Sequence, residues 1–214
     1  MIGKSTTLAL AAASLLALQG CISLLPETEP DTLYRLPLSA VSDAPAEGEQ
    51  TAVILGRIVT PRGLAGDRIA LQRNGAIGYM AGAAWLSPAP TLLYSAMVDT
   101  FHATAPAIAP ARAEDGVSAR YQLDLELRHF EAIYDQGEGS APLVRASIRA
   151  RLIDRDTRAI VGAHTVSETQ RASANRQAAI VDAFGVASSD MTRSVAVWTQ
   201  GLVCESEDAP SACP

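Results

Sequence analysis

Lysine is nearly missing from this chain: Lys4 is its only lysine, and every later basic residue is arginine. With 17 basic against 23 acidic residues, the formal net charge is −6 and no basic stripe stands out. That excludes the electrostatic footprint of a nucleic-acid binder and a polybasic patch that would reinforce a weak membrane anchor. Histidine and cysteine are equally scarce, at three each. His102, His129 and His164 fall on three separate predicted elements with no second ligand at metal spacing, so each reads as a structural or surface histidine. Catalytic signatures are missing too: there is no G-x-S-x-G elbow, P-loop, G-x-G-x-x-G or H-E-x-x-H. Gly75, Gly78 and Gly82 are spaced too loosely for a phosphate cradle, and Ser140 is a turn residue. Asp124 and Glu126 share one strand face with arginines nearby, the pattern of a solvated face and not of an acid–base pair. The reading is a protein that is not an enzyme, with no cofactor beyond the covalent lipid argued next.

The chain opens with Lys4, an uncharged Ala/Leu-rich stretch from Thr7 to Leu18, and then Leu18-Gln19-Gly20-Cys21. A basic residue, an apolar run and small residues before a cut make a secretory signal. The run is about a dozen residues, short of the roughly 20 that cross a bilayer. A cysteine directly after the small residue resembles the lipobox of bacterial lipoproteins. Cleavage before Cys21, with lipid carried on Cys21, is therefore expected for residues 1–20. Each buried CH₂ of such a lipid contributes ~0.8 kcal/mol, so two or more chains hold stably where one does not. Ile22 is not Asp, which favours outer-membrane over inner-membrane delivery. The 194 residues from Cys21 onward carry 16 basic and 23 acidic groups, a net −7, and suit one domain. Residues 21–31, with two prolines and three acids, read as a tether, and 32–214 as a single domain. Cys204 and Cys213 lie close together in a polar C-terminal tail; in an oxidising compartment they are expected to form a disulfide that pins it.

Periodicity places the elements. A first strand is expected over 34–38, a polar loop over 41–50, and a strand from Thr51 to Thr60 stopped by Pro61. A short turn over 62–66 follows. Residues 67–73 alternate as a strand, Asn74-Gly75 signals a hairpin, and 76–80 is its short partner. Ser87-Pro88 marks a helix start, with Ser87 as the cap; Leu92, Leu93, Ala96, Met97 and Phe101 then recur at core spacing. Residues 103–112 read as a loop. Tyr121, Leu123, Leu125 and Leu127 alternate with polar residues, as do Val144, Ala146, Ile148, Ala150 and Leu152. These are two antiparallel strands with one apolar and one charged face, and the slip of phase near Phe130 suggests a bulge. Residues 154–158 turn the chain into a third strand over 160–169. A long helix closes the domain from about 175 to 201, with Gly185 and Ser188-Ser189 as candidate bends. No internal repeat is present.

Two features are candidates for contact with a partner or a lipid: the arginine ladder Arg145, Arg149 and Arg151, which could dock an acidic surface or simply pair with its own sheet, and the apolar segment around Trp85 and Leu86, which could line a groove or simply pack in the core. The order of features carries a family resemblance. The lipobox Cys21, Tyr34-Arg35-Leu36, Asp67-Arg68-Ile69, Trp85-Leu86-Ser87-Pro88, Tyr121-x-Leu123-x-Leu125 running to Phe130, and the closing Val197-Trp198 together resemble the auxiliary lipoproteins of ABC-type lipid-transport systems, the PqiC-like family. The resemblance implies an α/β fold: a single domain whose mixed, largely antiparallel sheet packs with two main helices, in three layers. It implies a tether and docking subunit on the periplasmic face of the outer membrane. Its partners would be an MCE-domain protein and an ABC permease and ATPase, with no nucleic acid. A cell-envelope scaffold lipoprotein without lipid transport and a secreted hydrolase are the alternatives.

Overall fold

The computed structural model describes residues 30–38, 48–206 and 208–213; Cys21 and the expected tether up to residue 29 lie outside these described residues, as does most of the expected 41–50 loop. Residues from Asp31 to Pro214 form one compact unit. Its strands are β1 (Thr32–Tyr34), β2 (Thr51–Val59), β3 (Arg68–Arg73), β4 (Ala76–Trp85), β5 (Ile108–Ala111), β6 (Tyr121–Ile133), β7 (Leu143–Asp154) and β8 (Ile160–Arg171); its helices are α1 (Ala89–Thr104) and α2 (Gln177–Cys204). The expected α/β architecture, one mixed sheet with two main helices, is what forms.

β6 organises the sheet. Along one edge it pairs antiparallel with β7 over its whole length, from Tyr121↔Asp154 to Ile133↔Leu143. Its other edge is shared: the first half pairs parallel with β2, Val53↔Tyr121 to Val59↔Glu126, and the end pairs parallel with β3 through Ala132 and Ile133. The sheet therefore forks, one branch running β2–β5 and the other β3–β4–β1. Alternation decides which face is covered. Leu123, Leu125 and Leu127 join Leu93, Met97 and Phe101 of α1 and Phe184, Met191 and Val195 of α2 in one core. Each such side chain contributes about 1.5–3 kcal/mol through burial. The helices also pack on each other, where Thr100 Oγ1 meets Thr192 Oγ1 at 2.9 Å. No helix among the described residues covers the opposite face, whose alternating carboxylates and guanidiniums are suited to water.

Local chemistry explains several shifts from the sequence reading. Asn74 (φ 48°) and Gly75 (φ 81°) both take positive φ, as a two-residue hairpin turn requires, but the strand they open runs on to Trp85, five residues past the expected end. Pro88, and not Ser87, occupies the N-cap position of α1, so no side-chain cap bond forms there; the Ala89 amide donates instead to the Gly66 carbonyl at 3.0 Å. The register of β6 slips between Leu127 and His129, so Arg128 is the inserted residue, two positions before Phe130. The α2 helix runs unbroken through Gly185. A methyl group built there would overlap the Pro37 carbonyl oxygen and approach Pro37 Cγ to 2.8 Å. Gly185 is therefore the place where the arm after β1 crosses the helix, and not a bend.

The β7–β8 turn carries a strongly perturbed acid. Asp154 Oδ1 accepts from the amides of Asp156 (3.0 Å) and Thr157 (2.8 Å), and Oδ2 accepts from Arg120 Nε at 2.9 Å. The Thr157 amide first, and then the Arg120 guanidinium, hold its pKa down to about 2 from 3.8. A carboxyl whose folded pKa is depressed stabilises the fold above its ordinary pKa and loses that contribution as pH falls through the folded value. Acid titrations of stability should accordingly show a wild-type loss between pH 4 and about 2 that Asp154→Asn lacks. Parallel titration curves for the two proteins would refute the assignment.

Candidate docking surface

The open face of the sheet gathers the arginine ladder, and the three arginines differ in their commitments. Arg145 is fully engaged: Nη2 and Nε donate to Glu131 Oε1 at 2.6 and 3.1 Å. Glu131, only 3% exposed, also accepts from the Phe130 amide at 2.7 Å and sits 3.0 Å from His129 Nδ1. A carboxylate this buried needs such partners, so Arg145 belongs to the structure. Arg151 reaches Asp124 Oδ2 at 3.5 Å, the outer limit of a hydrogen bond. Arg149 lies opposite Glu126 in register, yet Glu126 Oε1 takes Arg128 Nη1 at 2.6 Å instead. The Arg149 guanidinium is left without an ionic partner among the described residues.

A fourth arginine shares this face and was not singled out from sequence. The pairing of β2 with β6 slips between Leu55 and Ile58, a bulge that holds Gly56 and Arg57. A Cβ at Gly56 would lie 3.0 Å from the Leu123 carbonyl oxygen, so the close approach of the two strands calls for glycine. Bulges re-aim side chains, and here Arg57 is turned to line a cavity of about 210 Å³ with Val59, Asp124, Glu126, Arg149 and Arg151. The available clue was a glycine interrupting an otherwise apolar strand. Arg57 also borders a groove of about 440 Å³ with Leu55, Ile58, Pro90, Tyr94 and Arg112. There the Tyr94 hydroxyl donates to the Leu55 carbonyl at 3.3 Å, and burial pushes its pKa above the ordinary value.

The apolar segment divides. Trp85 is 1% exposed and packs edge-on against Phe184 (centroids 5.3 Å) and tilted against Phe130 (5.8 Å). It is a core residue and lines no surface groove. Leu86 is 44% exposed and its amide donates to the Tyr34 carbonyl at 2.8 Å, beside the exposed Leu33 on edge strand β1. The histidines stay apart: His129 meets Glu131, His164 stacks on Trp198 at 5.5 Å, and His102 is exposed in the last turn of α1. No group of three or more His, Cys, Asp or Glu among the described residues could hold a metal ion. No described helix is long and apolar enough to cross a membrane.

Cys204 and Cys213 are joined in a disulfide, with Cα atoms 5.7 Å apart. The loop they close grips two strand starts. The Glu49 amide, just before β2, donates to Ser211 Oγ at 2.9 Å, and Arg120, just before β6, donates to Asp208 Oδ2 at 2.6 Å.

Residues 34–196, from β1 into α2, match the family described as ABC-type transport auxiliary lipoprotein component. The chain belongs to that family. A crystal structure of a Xanthomonas campestris protein of the DUF330 family superposes on this auxiliary lipoprotein with a TM-score of 0.69, at 24% identity, covering 80% of this chain and 96% of that one. A Chlamydia trachomatis hypothetical protein gives a TM-score of 0.51 at 12% identity, over 73% of this chain and 99% of the other. Both likenesses concern the fold. An uncharacterised protein of Bradyrhizobium diazoefficiens is 29% identical over 115 residues, which span 54% of the auxiliary lipoprotein but only 30% of that relative.

Proposed function

We propose that this auxiliary lipoprotein is a lipid-anchored, periplasm-facing subunit of an MCE/ABC-type lipid-transport system, held at the outer membrane through Cys21, and that it acts as tether and docking module. The observation that carries the reading is family membership across 34–196 in a chain that places Leu18-Gln19-Gly20-Cys21 ahead of the domain. The described surface supports it: the polar sheet face and the β1 edge with Leu33 and Leu86 both stand open to partners. The chain has no nucleotide-binding motif, so energy would come from a partner ATPase. The lipid on Cys21 is the only prosthetic chemistry proposed, and no catalysis is.

The anchor is tested by Cys21→Ser. The variant is expected to leave the membrane fraction, either as soluble protein or as uncleaved precursor. Normal processing with retention in the outer-membrane fraction would rule out lipidation as the anchor. The partner assignment is tested by purifying the detergent-solubilised mature protein and asking whether an MCE-domain protein accompanies it. If only unrelated envelope proteins are recovered, the transport role fails while the family assignment stands.

A further inference from the structure

Arg57 and Arg149 are the informative pair on the open face. An exposed arginine is ordinary; here two irregularities in the strands change how the carboxylates lining one small cavity are shared. The β6 bulge brings in Arg128, which takes Glu126 and leaves Arg149 unmatched at the position opposite. The β2 bulge presents Arg57 beside Asp124, whose Oδ1 already accepts from Gln122 Nε2 at 2.8 Å and whose Oδ2 faces Arg151. Three guanidiniums thus rim a cavity with two carboxylates, of which Glu126 is taken by Arg128 from outside the lining and Asp124 is shared between Gln122 and Arg151. The rim has a positive excess on a chain whose formal charge is −6.

We propose that this cavity is a binding site for a single phosphate group. Guanidinium forks match oxyanions in paired hydrogen bonds. Arg57 and Arg149 stand on strands that flank β6, two strand spacings apart and about two residues offset along the strands, a backbone separation of about 12 Å, and both line the cavity over β6. A tetrahedral phosphate offers more acceptor oxygens, spread in more directions, than a flat carboxylate does, which suits forks arriving from two sides. Size points the same way. Pockets that enclose whole ligands begin near 300 Å³, and about 210 Å³ accommodates a headgroup and not the molecule behind it. Val59, 67% exposed at the rim, offers an apolar rest for the organic part of a phosphate ester. The site stands independently of the tether reading, since soluble probes address it.

The test uses the detergent-solubilised mature protein at low ionic strength, because exposed charges are screened by salt. Inorganic phosphate, glycerol 3-phosphate and a short-chain phosphatidylglycerol are titrated by calorimetry, with chloride at matched ionic strength as control. Saturable binding is expected. Arg57→Gln and Arg149→Gln should each weaken it about tenfold, as charge-assisted hydrogen bonds warrant, and the double variant should abolish it. Neither guanidinium has an ionic or hydrogen-bond partner to lose among the described residues, so unchanged melting temperatures will show that the variants remain folded. Tighter binding of the short-chain lipid than of inorganic phosphate would identify a headgroup as the source; the reverse order would identify free phosphate. Absence of millimolar binding, equal binding in the double variant, or saturation by an acidic peptide in place of the phosphate probes would overturn the proposal.

Discussion

Trp85→Ala should be the most damaging single core change, with an expected loss of about 3–5 kcal/mol for a buried aromatic truncated to alanine. Trp85 closes a three-ring cluster in which Phe130 and Phe184 also meet edge-on, at 4.7 Å. The cluster ties β4 of one sheet branch to β6 at the fork and to α2 above both. Its removal would open a cavity that the surrounding strands cannot collapse around without breaking their hydrogen-bond ladders. For a domain of this size each kcal/mol shifts the melting temperature by about 2–4 °C, so a fall on the order of 10 °C is expected. Trp85→Phe should recover much of it. A melting temperature unmoved by Trp85→Ala, together with weakened partner capture, would instead place the ring on a working surface.

Gly185→Val is expected to destabilise the protein by about 2–3 kcal/mol, in the range of overpacked sites. The expectation opposes simple helix propensity, by which replacing a mid-helix glycine should help, by up to about 1 kcal/mol for alanine. The Pro37 carbonyl occupies the space a side chain would need, and relief requires the arm at Arg35–Leu38 to lift and Leu36 to leave its buried position. Gly201, on the same helix with nothing within 4 Å of its would-be Cβ, is the internal control: Gly201→Ala should be neutral or stabilising. A Gly185→Val protein that melts at or above the wild-type temperature, with the arm no more open to proteolysis, would contradict the crossing.

These two sites also show what could and could not be read from sequence. The meander of β6, β7 and β8 was legible because alternation specifies a half-buried strand directly, and the Asn74-Gly75 turn because its backbone needs are local. β5 was not: Ile108-Ala-Pro-Ala111 reads as a loop, and it becomes a strand only by pairing parallel with β2 at the sheet edge, where a proline without an amide hydrogen is tolerated. The extension of β4 to Trp85 was hidden in an Ala/Gly-rich stretch with no period. Gly185 was visible as a glycine, but whether a glycine bends a helix or admits a neighbour depends on a segment almost 150 positions away. The arginine ladder was legible as a face, whereas its division into the engaged Arg145, the loosely held Arg151 and Arg149, unpaired among the described residues, depends on where bulges fall. Arg57 escaped notice for the same reason.

The crossing of Pro37 over Gly185 has a mechanical meaning. If the protein is anchored by its N-terminus, any pull from the membrane enters the domain at Asp31 and meets β1 first. That strand holds β4 by only three residue pairs, Thr32↔Ala83 to Tyr34↔Trp85. Alone it would peel from the edge under modest force. Behind it the chain is wedged against a 28-residue helix at a point, Gly185, where that helix has no side chain to push it away. The wedge works as a cleat on a mooring line: load that slips past the first grip is caught by the body of the domain, leaving the sheet face with Arg57 and Arg149 undisturbed.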